Sequence, residues 1–357
     1  MPRLTLYPNG IVAAPSRGTG NRAPSTRERI TGWTAGSARR NDIFLRSVDF
    51  AAIEASGLYG WAATLTLRSA PATAEEFKKR LRKYLQRLVD ATAQLIHFVI
   101  EMQPRKNSPD GPVPHVHLVG FFPQDYGPHV MTPKGPLGGG IFFFVFWQDQ
   151  FLDFEPLLHA QHFAPITDPG GWARYVAKHG ARSEGHYQRL RGMLPAGWQN
   201  TGRVWGTLGD WPVRKNALHL SDRAFYALRR VVTRLQLADA HRSIAKLEAR
   251  LADSANAKQQ VRNRRLLDKA RDRIRYLQNR LRRRDPHIGR IVPVSDWLDP
   301  DQAHRWVLGA CAPVEHIDHD TGEVSWTWVL KGEPVAARAD CSQHLRATVP
   351  GGVTGCR

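Results

Sequence analysis

Between residues 61 and 122 the apolar positions change period repeatedly, and this limits the chain to a fold in which helices pack on a sheet. Residues 61–67 (WAATLTL) read as a strand, 74–93 (AEEFKKRLRKYLQRLVDATA) as an amphipathic helix, and 95–102 (LIHFVIEM) as a second strand. The Pro, Asn, Asp and Gly of PRKNSPDGPVP then mark a turn, so the third strand, 115–122 (HVHLVGFF), returns beside the second as a hairpin. Further strands are expected at 139–147 and 159–166, and a helix after Pro169-Gly170-Gly171 through 172–179 (WARYVAKH). This order predicts an α+β sandwich, helices against an antiparallel sheet, with residues 181–221 as irregular structure at its edge.

Outside this block the texture differs. Residues 1–40 are rich in Pro, Gly, Ser, Thr and Arg and are expected to form a mostly disordered basic arm ahead of a catalytic domain at 41–221. From Ser221 the pattern is helical, with 3,4 spacing at Ile244, Leu247 and Leu251, and again at Leu267, Ala270, Ile274, Leu277 and Leu281. The two registers do not join across ADSANAKQQ, which leaves a helical hairpin, a broken coiled coil or one rod for 222–284. The remaining stretch, 285–357, is small and acidic, with a β-hairpin expected to turn at Asp320-Thr321-Gly322.

Charge selects a class of partner. The net charge is +19, of which +6 falls in residues 1–40 and +13 in 222–284, while 285–357 carries −4. A basic arm and a basic helical segment suit attraction to a phosphate backbone, and Arg262, Arg264, Arg265, Arg271, Arg273, Arg275, Arg280, Arg282, Arg283 and Arg284 are the residues expected to contact DNA. The same apolar spacing allows this segment to form a homodimer. No apolar run reaches the roughly 18 residues of a membrane helix, and the N-terminus lacks the pattern of a secretory signal, so the expected compartment is the cytoplasm. Cys311, Cys341 and Cys356 show no C-x-x-C pairing and read as ordinary thiols, not as a disulfide framework or zinc ribbon.

Three groups carry chemistry. In His115-Val116-His117, strand alternation sets both imidazoles on one face, where they can share one metal ion; otherwise they are a surface pair. Glu101 stands among apolar residues (FVIEM), a costly place for a carboxylate unless it is paired or coordinated, and the hairpin brings its strand beside that of His115. Tyr175 and Lys178, at i and i+3, share a helix face. A tyrosine oxygen can attack a phosphodiester, and a nearby cation favours the phenolate and offsets charge on the phosphate. Tyr187 is a spare phenol read as structural.

Together, in this order, the three resemble the HUH endonucleases, especially the rolling-circle replication initiators of small plasmids and filamentous phages. The family's first motif matches Ala63-Thr64-Leu65-Thr66-Leu67, the second Pro114-His115-Val116-His117-Leu118 with Glu101 as the acidic third ligand, and the third Tyr175-Val176-Ala177-Lys178, over roughly residues 43–212. The resemblance implies a ferredoxin-like, five-stranded antiparallel sheet with flanking helices, the histidines on a central strand and the tyrosine helix facing them. It also implies Mg²⁺ or Mn²⁺ on His115, His117 and Glu101, with the imidazoles better suited to Mn²⁺. Tyr175 would attack single-stranded origin DNA, leaving a 5′-phosphotyrosine and a free 3′ hydroxyl. No G-x-x-x-x-G-K-[ST] is present, so a host helicase would unwind the duplex for a host polymerase.

Alternatives differ in class. Two His and one carboxylate also describe non-haem iron and zinc enzymes, which leave Tyr175, Lys178 and the basic segments unexplained. A non-enzymatic DNA-binding coiled-coil protein would not need Tyr175. Within the family, a relaxase or transposase is the other choice.

Overall fold

The computed structural model describes residues 1–15, 32–103, 111–123, 130–132, 135–137, 141–180, 194–253, 256–282, 294–296, 300–318, 321 and 323–333. The first elements are β1 (Arg3–Tyr7), β2 (Gly10–Ala14), α1 (Ala35–Ser47), α2 (Phe50–Ala55), β3 (Leu58–Thr66), α3 (Ala74–Asp90), β4 (Leu95–Gln103) and β5 (Val113–Pro123). They are followed by β6 (Val130–Thr132), β7 (Gly135–Leu137), α4 (Ile141–Gln150), β8 (His162–Pro165), α5 (Pro169–Gly180), β9 (Trp205–Leu208) and β10 (Asn216–His219). The last are α6 (Asp222–Ala252), α7 (Ala257–Arg282), β11 (Val294–Asp296), α8 (Pro300–Ala310), β12 (Cys311–Ile317) and β13 (Val324–Leu330).

Five strands form an antiparallel sheet in the order β8-β3-β5-β4-β9, with β5 at its centre. Helices cover both faces. Thr73 caps α3 by accepting from the Glu76 N–H at 3.1 Å, and Ala74, Phe77, Leu81, Tyr84, Leu85 and Leu88 follow at helical spacing as its buried stripe. Phe77 is fully buried against Trp147, Phe151 and Trp198, so truncating it to alanine would cost about 3–5 kcal/mol. On the other face, α1 is tied to β4 by the Trp33 indole N–H, which donates to the Ile100 carbonyl at 2.9 Å, and by Asn41 against His97 at 2.9 Å.

Residues 141–147 (IFFFVFW), expected as a strand, lie in helix α4. The run is apolar on every side and therefore has no period to read, while its aromatic and β-branched residues favour strands. Tertiary burial decides: Phe142, Phe143 and Trp147 enter the core together, and the Trp147 indole N–H donates to the Thr66 carbonyl at the end of β3, at 3.2 Å. The strand expected at 159–166 shortens to β8, and α5 begins at Pro169, ahead of the glycines.

The expectation of a disordered arm over 1–40 is corrected over its first fifteen residues, where β1 and β2 pair with Tyr7 opposite Gly10, and over 35–40, which open α1. Part of the reason is long-range: β10 joins the free edge of β1 and β11 that of β2, and α6 and α8 cover the sheet with Phe225, Leu228 and Val307. Residues 16–31 lie outside the described residues. Residues 205–208, expected as irregular, are the fifth strand of the main sheet, whereas 181–193, including Tyr187, lie outside the described residues.

Of the alternatives for the basic segment, the helical hairpin is observed. Arg230 of α6 donates to the Leu281 carbonyl of α7 while Arg271 approaches Glu248, so the two helices run antiparallel, joined by Ala240, Ile274 and Leu277. The acidic segment holds the β12–β13 hairpin, with Ile317 opposite Val324. Cys311 is buried and free, whereas Cys341 and Cys356 lie outside the described residues. Among the described residues no helix is long and apolar enough to cross a membrane.

Candidate active site

The register of the sheet builds the site. On one side of β5, Glu101 pairs with His115 and Val99 with His117; on the other, Thr66 pairs with His115 and Thr64 with His117. Cross-strand partners share a face, so both histidines, Glu101, Thr64 and Thr66 project together while Val116 and Leu118 enter the opposite core. The edge strand β8 extends the row, placing His162 opposite Thr64. The end of β3 is held by Gln161, whose side-chain oxygen accepts from the Thr66 N–H at 2.7 Å while its amide donates to the Thr66 carbonyl at 3.1 Å.

His117 is 5% exposed and lies between two oxygens: Thr64 Oγ1 is 3.2 Å from Nδ1, and Glu101 Oε2 is 3.2 Å from Nε2. The assignment that satisfies both has the threonine hydroxyl donating to Nδ1 and Nε2–H donating to the carboxylate. Glu101 is also 5% exposed, and this contact makes its burial tolerable. His115 is half-buried, its ring centroid 5.8 Å from that of His117.

Tyr175 reaches this face from α5, whose start is set by Asp168. The Asp168 carboxylate accepts from the Gly171 N–H at 2.7 Å, and its carbonyl accepts from the Trp172 N–H at 3.0 Å. A Cβ at Gly171 would meet the end of the Asp168 carboxylate, so a side chain there would push that cap aside. Ala173, Val176 and Ala177 are buried beneath α5, which leaves Tyr175 half exposed beside the sheet. Its ring meets His117 edge-on, centroids 5.8 Å apart at 84°. Tyr175, His117, His162, Thr64 and Trp172 line one cavity of about 540 Å³.

The structure thus brings Glu101, His115, His117 and Tyr175 to one face. Lys178 lies one turn beyond Tyr175 on α5, and its side chain lies outside the described residues. Sequence reasoning missed His162 and Trp172 as cavity residues. A lone histidine in a four-residue edge strand carries no local signal, because only pairing with β3 sets its face.

As a metal centre the donor set fits in chemistry, since two imidazoles and a carboxylate are common ligands for Mn²⁺ or Zn²⁺. Glu101 Oε2 and His117 Nε2 are the atoms that would face a cation once the shared proton is displaced. Among the described residues, no three His, Cys, Asp or Glu side chains converge on one point as they stand, so the three side chains would have to draw together to share an ion.

The arginines expected to contact DNA divide. Arg262, Arg264, Arg265, Arg271, Arg273, Arg275 and Arg282 are exposed along α7. Arg280 is half-buried, and burial followed by repulsion from Arg229 lowers its pKa. Its Nε and Nη2 are enclosed without a hydrogen-bond partner among the described residues. Arg283 and Arg284 lie outside the described residues.

No protein-family model matches the chain, and no solved structure matches it. Among known proteins, the replication-associated protein of Pseudomonas phage Pf3 is 39% identical over 219 residues, covering 61% of this chain and 72% of its own length. Two Xylella fastidiosa proteins, assigned to replication by name alone, are each 34% identical. The one from strain Temecula1 matches over 257 residues, 68% of this chain and 88% of its own length. The one from strain 9a5c matches over 258 residues, 68% of this chain and 82% of its own length.

Proposed function

This chain belongs to the family of the phage Pf3 replication-associated protein, and from that premise we propose that it is a replication initiator that nicks one DNA strand through Tyr175. The observation that carries the proposal is the half-exposed Tyr175 ring edge-on to His117 in a shared cavity, with Glu101 in contact with the same imidazole.

In this reading Tyr175 Oη forms a bond to phosphorus as the bond from phosphorus to the 3′ oxygen breaks. The departing oxygen takes a proton and becomes the free 3′ hydroxyl, and the 5′ phosphate remains on the tyrosine. The phenol must lose its proton, and the His162 imidazole, which lines the same cavity, would accept it. His115, His117 and Glu101 would hold a divalent ion, Mg²⁺ or Mn²⁺, which when bound polarises the scissile phosphate. Lys178, on the same face of α5 as Tyr175, would offset charge on the phosphate. The exposed arginines of α7 would hold the DNA backbone, a host helicase and polymerase would complete replication, and the helical hairpin offers a surface for a homodimer.

The test is direct. Labelled single-stranded origin DNA incubated with the full chain and Mn²⁺ should yield a protein–DNA adduct that survives denaturation and a labelled fragment ending in a 3′ hydroxyl. DNA binding without an adduct, under conditions that load the metal, would sink the proposal.

A further inference from the structure

Along β4, Phe98 and Ile100 alternate with Val99 and Glu101, so they face away from the tyrosine, toward α3. Between α3 and residues 200–203 this face keeps a cavity of about 520 Å³, within the size range of small-ligand sites. Its lining has two parts. Leu81, Leu85, Ile100 and the half-buried Phe98 ring are apolar, and Gly206 on β9 leaves room for that ring, since a Cβ there would stand 2.8 Å from it. Lys78, Arg82 and Arg203 supply three cations beside them.

These cations are crowded together at the cavity wall. Among the described residues none of the three has a carboxylate within ion-pair distance, although Glu75 also lines the cavity. The Lys78 ammonium donates to the Thr201 carbonyl, which pins it at the cavity wall. Burial, then Arg203, then Arg82 hold its pKa down to about 8. Like charges held together at an apolar slot are relieved by an anion, and an aromatic ring in its lining can accept a flat partner.

We propose that this cavity is a second nucleotide site, on the sheet face opposite Tyr175, with the base stacked on Phe98 and the phosphate among Lys78, Arg82 and Arg203. Free nucleotide and one unit of a DNA strand offer the same chemistry. Because the sheet separates this cavity from Tyr175, the proposal stands or falls independently of nicking.

The test uses the full chain with a chelator, so that the metal-dependent face is idle. Lys78 is labelled near pH 8 with an amine-reactive ester and quantified by peptide mass mapping, with thymidine 5′-monophosphate, thymidine, inorganic phosphate or an oligothymidylate of about eight nucleotides as competitor. The monophosphate or the oligonucleotide should protect Lys78 at least ~10-fold better than thymidine or phosphate, a difference of about 1.4 kcal/mol. Protection by the monophosphate identifies a free-nucleotide site, and protection by the oligonucleotide alone identifies a strand subsite. Arg82→Ala with Arg203→Ala, both at exposed positions, should abolish the protection, whereas Tyr175→Phe should leave it intact. Phe98→Leu should reduce the monophosphate to the level of phosphate. Absence of protection by both nucleotide probes, equal protection by phosphate in the wild type, or retention in the double arginine variant would overturn the proposal.

Discussion

The Tyr175 ring stands edge-on to the His117 imidazole, centroids 5.8 Å apart and planes at 84°, although the two residues come from different elements 58 positions apart in the chain. In the proposed reaction the phenol attacks a phosphate polarised by an ion that His117 would help to hold. Tyr175→Phe keeps the ring and removes the nucleophilic oxygen, so it should abolish adduct formation and leave DNA affinity within about twofold. Because Tyr175 is half exposed, stability should change by less than about 0.5 kcal/mol. An adduct in this variant would move the nucleophile elsewhere, with Tyr187 the next to test.

The metal reading joins three residues in one prediction. Mn²⁺ should raise the melting temperature of the wild type, and alanine at His115, His117 or Glu101 should remove both that rise and cleavage. Glu101→Gln separates charge from shape, since it can still hydrogen-bond His117 but lacks the anionic oxygen. Cleavage at wild-type rate in Glu101→Gln would take the carboxylate out of the site.

His97 predicts the acid side of the stability curve. It is wholly buried, stacked on Phe44 and bonded to Asn41, and burial lowers its pKa from 6.5 to about 3. The folded chain keeps it neutral where the unfolded chain protonates it, so its contribution is complete above pH 6.5 and is lost as pH falls toward about 3. One proton corresponds to a slope of about 1.4 kcal/mol per pH unit. Urea unfolding from pH 7 to pH 4 should show His97→Gln less stable at neutrality by roughly 1–3 kcal/mol, yet falling less steeply in acid. Parallel curves would show that His97 takes up its proton in the fold as readily as in the unfolded chain.

Helix α6 of the basic segment shares a core with the first two strands. Cutting the chain near residue 220 would remove Phe225, Leu228 and Val232 from the core over β1 and β2, so loss of binding there would only report unfolding. Replacing the exposed Arg262, Arg264, Arg265, Arg271, Arg273 and Arg275 with glutamine leaves that core intact. If these residues touch duplex phosphates, the slope of log affinity against log salt should flatten by up to about 0.9 per lost contact. Arg271 and Arg275 already face Glu248 and Asp272, so their share should be the smallest. An unchanged slope with loss of a dimer would give the hairpin an assembly role.

The hairpin of β4 and β5 was legible in the sequence because it is local. A strand repeats every two residues, so once a polar turn joins 95–103 to 113–123, the pairing of Glu101 with His115 follows from chain geometry and side-chain burial. The same local logic located α3, with its Thr73 cap and apolar stripe, and the helix that carries Tyr175. Net basicity pointed to a polyanion without any knowledge of shape.

Only the tertiary structure decided what depends on partners far along the chain. Residues 141–150 became a helix because the space over α3 accepts Phe142, Phe143 and Trp147 in helical array, a choice that an all-apolar run does not encode. The first fifteen residues became strands because β10 and β11, about 200 and 280 residues later, supply the missing backbone partners and α6 and α8 cover the sheet. His162 entered the candidate site because β8 pairs with β3, and its four residues carry too little pattern to announce a face. In each case the deciding free energy comes from burial and hydrogen bonds between distant segments, and such energies leave no periodicity in the segment that receives them.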